Sequence, residues 1–408
     1  MKRQESIDGY LYALDGFRAL SVILIFIFHN WQQSWIGYSI RLTQNTTISL
    51  ELFQRYGYIA IDVFFVLSGF CLFYPVARAM FGECKQQTWK QFFIKRARRI
   101  LPAYYIMLIL LFIFPVLSYA TDANMPIGTL LRHFLTHATF THNLFPDTLV
   151  STISTAWTMS VECQFYLLFP LLVLAFKRKP VLSYLGCVIL GIIFRIYAIV
   201  NTDMSMYVQG GTLYYLDVFA TGMITSYFVV FARHKLKNID KLSYLMTAVA
   251  VVSMFCVYGF MKWMDALAFP NGFDAPTYFR FLYRPVLYII LGIMIFSSCY
   301  SVKLWQKNIL GNKFFMFVST ISYSFYLWHQ NIHIFLRRMN IPYTTVNPPM
   351  DDRAAMEGFV VLSVVLSVAV ACLSTFLIER PVVKYGFKGC IDRIHAVFSG
   401  KKDKVNVR

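Results

Sequence analysis

Long apolar runs are the feature that most restricts how this chain folds. Ten runs of about 20 mainly apolar residues recur along its 408 residues, each long enough to cross a bilayer as an α-helix. They lie at 11–30, 57–77, 100–119, 158–176, 181–200, 212–232, 242–261, 281–300, 314–336 and 357–377. Composition agrees, since 58% of the residues are hydrophobic and only 14% are charged. The sequence therefore predicts an all-α integral membrane protein of about ten transmembrane helices.

The basic residues indicate how these helices are oriented. The 38 Lys and Arg residues outnumber the 20 Asp and Glu residues and give a net charge of +18. Most fall before the first run, between alternate runs and in the tail, as expected for cytoplasmic segments that face anionic lipid. We therefore expect both termini in the cytoplasm and no nucleic-acid partner. Residues 1–380 are expected to form the transmembrane domain, and 381–408 a basic cytoplasmic tail that is amphipathic or disordered.

The eight cysteines show no CxxC spacing, and all lie in apolar runs or in loops predicted to be cytoplasmic. We therefore expect neither disulfides nor a metal site. The first run continues through Trp31 without a small-residue cleavage site, so it is expected to remain in the mature protein.

Two polar side chains interrupt the first run. A charged group inside a membrane span costs about 2.5–3.5 kcal/mol on insertion scales, so each one calls for a partner or a function. Arg18 and His29 are eleven residues apart. Eleven steps of about 100° bring their side chains within roughly 20° of each other, about 16 Å apart along the helix. We expect both on one face, with Arg18 in the inner half and His29 at the outer end.

Four further ionisable residues are predicted at the depth of His29. They are Asp62, Glu162, Asp217 and His329, each on a different predicted helix. Five such groups at one level predict a water-accessible cavity open to the outer face. An alternative remains open for Asp62, Asp217 and His329. Each of them could instead cap a helix or lie at the headgroup level.

His29 is the candidate general base, because an imidazole can take and return a proton near neutral pH. A neighbouring carboxylate would fix its tautomer and stabilise the imidazolium. Glu162 is the expected partner, and Asp62 is the competing one. A covalent acyl-histidine is a variant that the sequence leaves open.

A basic cluster precedes the third run. Lys95, Arg96, Arg98 and Arg99 lie in the predicted cytoplasmic loop, where such clusters commonly anchor a helix to the membrane. Arg96 and Arg99 are three residues apart and share a helix face, and paired guanidinium groups suit phosphate oxygens. A phosphorylated cofactor at the inner mouth is the functional alternative.

Six segments in order resemble the acyltransferase family 3 membrane proteins, which include O-antigen and other surface-glycan O-acetyltransferases. The segments are 14-LDGFRALSVILIFIFHN-30, 57-GYIAIDVFFVLSGFCL-72, Arg96 and Arg99 followed by Ile100, Pro102 and Tyr105, 157-WTMSVECQFYLLFP-170, 322-SYSFYLWHQ-330 and 379-ERP-381. Together they extend over nearly the whole chain.

The resemblance implies an acyl-CoA donor, acetyl-CoA by family precedent, that binds from the cytoplasm without a metal. It implies an acceptor hydroxyl on the outer side of a bacterial inner membrane, in a glycan or lipid-linked glycan such as lipopolysaccharide O-antigen. His29 would be the catalytic base and Arg18 would support the donor, while Arg96, Arg99 and Tyr105 would bind it.

The resemblance also assigns less specific roles. Glu162 would assist His29, and Ser68 and Trp157 would shape the site with Asp62 and His329. Some family members carry a C-terminal SGNH-type esterase domain, whereas this chain stops some 30 residues past its last predicted span. It is therefore expected to act alone or with a separate partner.

Other functions remain open at this level. A transporter or flippase could use the same intramembrane charges as a proton relay. A scaffold in a glycan-assembly complex and an enzyme that acylates a secreted small molecule are further alternatives. The sequence decides neither the acceptor, the acyl chain nor the oligomeric state.

Overall fold

The computed structural model describes residues 11–41, 43, 47–118, 125–201, 210–236, 239–268 and 284–398. Its α-helices are α1 (Tyr12–Ser34), α2 (Glu51–Tyr56), α3 (Ala60–Met80), α4 (Trp89–Ile113), α5 (Ile127–Ala138), α6 (Trp157–Arg178), α7 (Pro180–Val200), α8 (Leu216–Lys235), α9 (Ser243–Ala268), α10 (Arg284–Cys299), α11 (Lys313–Arg338), α12 (Arg353–Leu373) and α13 (Arg380–Phe398). Two short helical segments, Leu304–Leu310 and Ser374–Glu379, precede α11 and α13.

The prediction of an all-helical membrane protein is confirmed, with one small exception. Strands β1 (Ser39–Arg41) and β2 (Thr47–Ser49) form an antiparallel hairpin after α1. Helices occupy the ten predicted runs within the described residues, and seven are long and apolar enough to cross a membrane. The number is eight if α10 and Leu304–Leu310, which meet at 108°, form one broken span.

Helices α4 and α11 coincide with predicted runs but do not meet that test of length and hydropathy. Helix α4 begins with the basic cluster, and α11 carries many serine, histidine and amide side chains. These polar residues lie on the helices that line the candidate site.

The centre of the fold is the contact between α3 and α8. Most of α8 is buried, with 83% of its most apolar stretch inside the protein. A Cβ at Gly69 of α3 would lie 2.1 Å from the carbonyl oxygen of Phe219, and one at Gly222 of α8 would lie 2.0 Å from that of Val66. Only glycine at both positions allows the two backbones to approach this closely, which is a common packing mode of membrane helices.

Helix α1 packs against α11 and α12 through an apolar layer. Val22 and Phe26 of α1 meet Ile321 and Phe325 of α11 and Ala371 of α12. This packing fixes the rotation of α1 about its axis. It therefore directs Arg18 and His29 towards fixed neighbours on α3 and α11.

The beginning of α1, the start of α4 and the tail helix α13 lie at the same end of the fold. Gly16 of α1 sits against Leu310, and the guanidinium of Arg98 on α4 lies beside Gly386 on α13. Gly386 has φ of 74°, a conformation that suits glycine. This arrangement agrees with both termini on one side of the membrane. Residues 380–398 of the tail are helical, and 399–408 lie outside the described residues.

The predicted outer segment 120–156 contains α5, whose His137 stacks on His142 in the short turn that follows the helix. The rings of His137 and His142 stack with centroids 3.9 Å apart, and Nδ1 of His142 lies 3.1 Å from the Ser160 hydroxyl oxygen. Burial lowers the pKa of the His142 imidazole to about 4. Burial, and then the neighbouring His142, lowers the pKa of His137.

This stacked pair predicts a loss of stability in acid. Between pH 6.5 and pH 4 the unfolded chain binds a proton at His142 that the folded protein does not, so stability falls as the pH decreases. The slope from this group is about 1.4 kcal/mol for each pH unit. We expect His142→Asn, which retains a hydrogen-bonding side chain, to flatten the dependence of the unfolding midpoint on pH. An unchanged slope in detergent-solubilised protein would contradict this assignment.

Candidate active site

A cavity lies between α1, α3, α4, α6 and α11. Its empty volume is about 820 Å³, including open solvent at the mouth. The lining residues are Arg18, Ile61, Phe64, Phe65, Leu67, Ser68, Cys71, Arg96, Arg99, Ile100, Thr158, Met159, Glu162, Tyr166, Ser322, Tyr323 and Tyr326. The cavity is thus basic where α4 begins and becomes aromatic and apolar towards the outer side.

Arg18 is held on the cavity wall by its own helix and by α3. Its Nη1 donates to Oδ1 of Asp15 at 3.1 Å, and its Nη2 lies 3.8 Å from Sγ of Cys71. The same Asp15 oxygen accepts from Ser319 of α11 at 2.6 Å. Asp15 was not singled out from the sequence, although a carboxylate three residues before an intramembrane arginine is a recognisable signal. The arginine is therefore oriented by its neighbours and still faces the cavity.

Arg96 and Arg99 line the mouth of the cavity, as their shared helix face predicts. Within the described part of the chain neither forms a salt bridge, and Nε of Arg96 is buried without a hydrogen-bond partner. The Arg96 guanidinium lies 6.0 Å from the ring centre of Phe92. Two guanidinium groups that form no salt bridge among the described residues can bind a phosphate through charge-assisted hydrogen bonds.

Glu162 faces this cavity but does not pair with His29. Its Oε1 accepts hydrogen bonds from Ser68 at 2.7 Å and from Tyr166 at 2.5 Å. The expected His29–Glu162 pair is thus replaced by a contact between α6 and α3. Sequence reasoning placed Ser68 and Glu162 in the site, and the structure brings them together there, whereas Tyr166 was missed.

His29 lies beyond the outer end of the cavity, half-buried against α11. Its Nδ1 lies 2.8 Å from Oε1 of Gln330, and its ring centre is 5.1 Å from that of His329. Because the amide oxygen accepts, Nδ1 carries the proton and Nε2 keeps a lone pair. His29 is therefore poised to accept a proton at Nε2. Gln330 makes the contact with His29 that was predicted for a carboxylate, and its position directly after His329 was the available signal.

Asp62 and Asp217 belong to a separate buried network instead of the His29 site. Oδ1 of Asp62 lies 3.0 Å from Nη1 of Arg284, and Asp217 accepts two hydrogen bonds from Arg195 at 2.6 and 2.7 Å. The Arg195 guanidinium also lies 5.6 Å from the ring centre of Tyr288, which hydrogen-bonds Asp62. Both carboxylates thus neutralise intramembrane arginines. The predicted single cluster of five groups at one depth is wrong in this respect.

Three other predicted site residues lie around the cavity rather than in it. Trp157 packs against Phe65 of the cavity wall, with ring centres 6.5 Å apart. His329 is fully buried, and its Nδ1 lies 2.8 Å from the carbonyl oxygen of Tyr326. Tyr105 donates to the carbonyl of Ala138 at 2.7 Å and so secures α5, which differs from the predicted donor contact. No group of three or more potential metal ligands occurs among the described residues.

The fold and this cavity define a multi-pass membrane protein whose basic inner pocket ends next to an oriented histidine. A family model described as an acyltransferase domain matches residues 11–379, and the chain belongs to this acyltransferase family, as its motifs predict.

Curated relatives extend the comparison. The chain is 25% identical over 96% of its length to the peptidoglycan O-acetyltransferase OatA of Listeria monocytogenes. It is 25% identical over 93% of its length to a putative O-acetyltransferase and to the O-acetyltransferase OatA of Staphylococcus aureus. The chain spans 59% of the Listeria protein and 58% of the Staphylococcus proteins. No solved structure matches it significantly. The membrane helices and these relatives identify a multi-pass bacterial membrane protein.

Proposed function

We propose that the protein transfers an acetyl group from acetyl-CoA, bound from the cytoplasm, to a hydroxyl of a cell-envelope glycan on the outer side. The observation that carries this proposal is the cavity itself, with Arg96 and Arg99 at its mouth and its aromatic end close to His29. The relatives support an O-acetyl product, and the Listeria protein favours peptidoglycan as acceptor. Lipopolysaccharide O-antigen, expected from the motifs, is the second candidate acceptor.

The donor would be held mainly by charge at the mouth. Arg96 and Arg99 would bind the phosphates of CoA, and Arg18 would contact the donor from α1. The narrow pantetheine arm would extend along the cavity towards α11. This assignment gives a role to the two arginines that line the cavity without forming a salt bridge among the described residues.

His29 would supply the general base for the transfer. The acceptor hydroxyl would give its proton to Nε2, and its oxygen would form a bond to the thioester carbonyl carbon. Collapse of the tetrahedral intermediate breaks the carbon–sulfur bond. The imidazolium then returns the proton to the departing thiolate, so the products are an ester and free CoA. Gln330 would keep the imidazole in the required tautomer throughout.

The donor assignment predicts a specific defect for charge removal at the mouth. We expect Arg96→Gln and Arg99→Gln each to raise the KM for acetyl-CoA by about tenfold or more, because each removes a charge-assisted hydrogen bond. Initial rates of CoA release by the protein in proteoliposomes would measure this change. Arg98→Gln is the matched control, since Arg98 contacts Gly386 on α13 and does not line the cavity.

A truncated donor makes this test selective. S-acetyl-pantetheine lacks the phosphates, so its KM should be the same for the wild type and for both arginine variants. An equal defect with both donors, or an equal defect in Arg98→Gln, would contradict phosphate binding by Arg96 and Arg99.

The transport alternative is tested by donor dependence. Vesicles loaded with acetyl-CoA carrying a labelled acetyl group should transfer label to peptidoglycan fragments added on the opposite side, and mass spectrometry should find one acetyl group added. Movement of an intact glycan across the membrane without acetyl-CoA, and without ester formation, would favour the transporter instead.

A further inference from the structure

The outer end of the cavity is closed by side chains from three helices. Phe64 of α3, Thr158 of α6 and Tyr326 of α11 all line it. The hydroxyl groups of Tyr326 and Thr158 are hydrogen-bonded at 2.9 Å, and the Tyr326 hydroxyl donates to the carbonyl of Thr155 at 3.3 Å. The ring of Phe64 meets that of Tyr326 edge-on, with centres 6.0 Å apart. The phenol is thus anchored to α6 and braced by α3.

The rings of Tyr326 and His329 connect this end of the cavity to the candidate base. The ring centre of Tyr326 lies 5.8 Å from that of His329, which in turn lies 5.1 Å from that of His29. Neither histidine lines the cavity, whereas Tyr326 does. Tyr326 is four residues before Gln330, so the two lie on one face of α11, one turn apart. The donor pocket and the histidine site therefore meet at Tyr326.

The acyl group has to reach these rings for the proposed transfer to occur. Attack requires the acceptor oxygen at His29 to come within about 3–3.5 Å of the thioester carbonyl carbon. The apolar residues Ile61, Phe65 and Met159 line the cavity together with Tyr326. Such a wall suits the methyl end of a short acyl group. An anchored aromatic ring beside this wall would limit the length of that acyl group.

We propose that Tyr326 determines acyl-chain length in this protein by closing the donor cavity below His29. The inference rests on the proposed function and names the donor class of the same site, a short acyl thioester. The ring sets the length limit, and the hydroxyl anchors the ring to α6.

The test compares three chain lengths in two variants of the full chain. Wild type, Tyr326→Ala and Tyr326→Phe would be reconstituted in proteoliposomes with acetyl-, butyryl- or hexanoyl-CoA and peptidoglycan fragments. CoA release and ester formation would be measured separately. We expect Tyr326→Ala to raise the kcat/KM ratio of butyryl-CoA to acetyl-CoA by about tenfold or more, since a poorly fitting methylene typically costs 10–200-fold in selectivity. Tyr326→Phe retains the ring and should keep the wild-type ratio.

A second expected change is loss of coupling. In Tyr326→Ala, CoA release should exceed ester formation because water reaches the thioester, whereas the wild type and Tyr326→Phe should keep the two equal. If Tyr326→Ala does not fold, Phe64→Leu is the second variant, because it removes the α3 ring that packs against Tyr326. It should also raise the kcat/KM ratio of butyryl-CoA to acetyl-CoA.

The outcomes separate this inference from the proposed function. An active, folded Tyr326→Ala with the wild-type chain-length ratio overturns the role of Tyr326 and leaves acetyl transfer standing. A wild type that releases no CoA from any of the three thioesters overturns the proposed function and this inference with it.

Discussion

Replacing His29 with Ala is expected to lower acetyl transfer by at least about 100-fold, the lower end of what a positioned general base contributes. In the proposed mechanism the imidazole, which contacts Gln330, accepts the hydroxyl proton, and alanine offers no group that can take it. Transfer of labelled acetyl groups to peptidoglycan fragments by reconstituted protein measures the loss. Because the role is chemical, kcat should fall while the KM for acetyl-CoA changes little.

The control for this variant is a measurement of whether it still folds like the wild type. His29 is half-buried and makes one side-chain hydrogen bond, so the unfolding midpoint should stay close to that of the wild type. Gln330→Ala should cause a smaller loss of kcat. It removes the hydrogen bond that favours the Nδ1–H tautomer of His29, but the imidazole itself remains. Unchanged transfer by His29→Ala would eliminate His29 as the base. The Ser68–Glu162 pair in the cavity would then be the next candidate for that role.

The sequence predicts the helices and the Arg18–His29 face for a physical reason. A helix that crosses a bilayer must be long and apolar, and the helical period alone decides which residues on one helix share a face. The same local rule places Arg96 and Arg99 together at the cavity mouth. Each of these predictions depends on residues close together in the chain.

Pairings between helices were predicted less well, because they depend on how each helix is rotated about its axis. Glu162 has the right depth for His29, but it faces Ser68, which lies 94 residues away in the chain. Asp62 pairs with Arg284, which lies 222 residues away in the chain. Depth follows from hydropathy, whereas rotation is set by close contacts such as that of Gly69 with Phe219. A single sequence carries no direct record of such contacts.

Breaking the Arg195–Asp217 pair is expected to have the largest effect on stability. Both side chains are essentially inaccessible to solvent, and the guanidinium makes two hydrogen bonds to the carboxylate and one to the carbonyl of Tyr214. Asp217→Ala would leave an uncompensated buried charge, which typically costs about 3–5 kcal/mol. Denaturant or thermal unfolding in detergent would measure the change. Asp147→Ala is the matched control, since its pair with Arg132 is exposed and worth at most about 1 kcal/mol.

Removing both partners distinguishes a structural pair from a proton relay. Replacing a buried ion pair with apolar residues is often neutral or stabilising, so Arg195→Leu combined with Asp217→Leu should recover most of the stability that Asp217→Ala loses. A transporter that uses Asp217 to carry protons would stay inactive in this double variant, because leucine does not titrate. An acyltransferase whose base is His29 should regain transfer together with its fold. Recovered stability without recovered transfer would place Asp217 in the chemistry and contradict its assignment as a neutralising partner of Arg195.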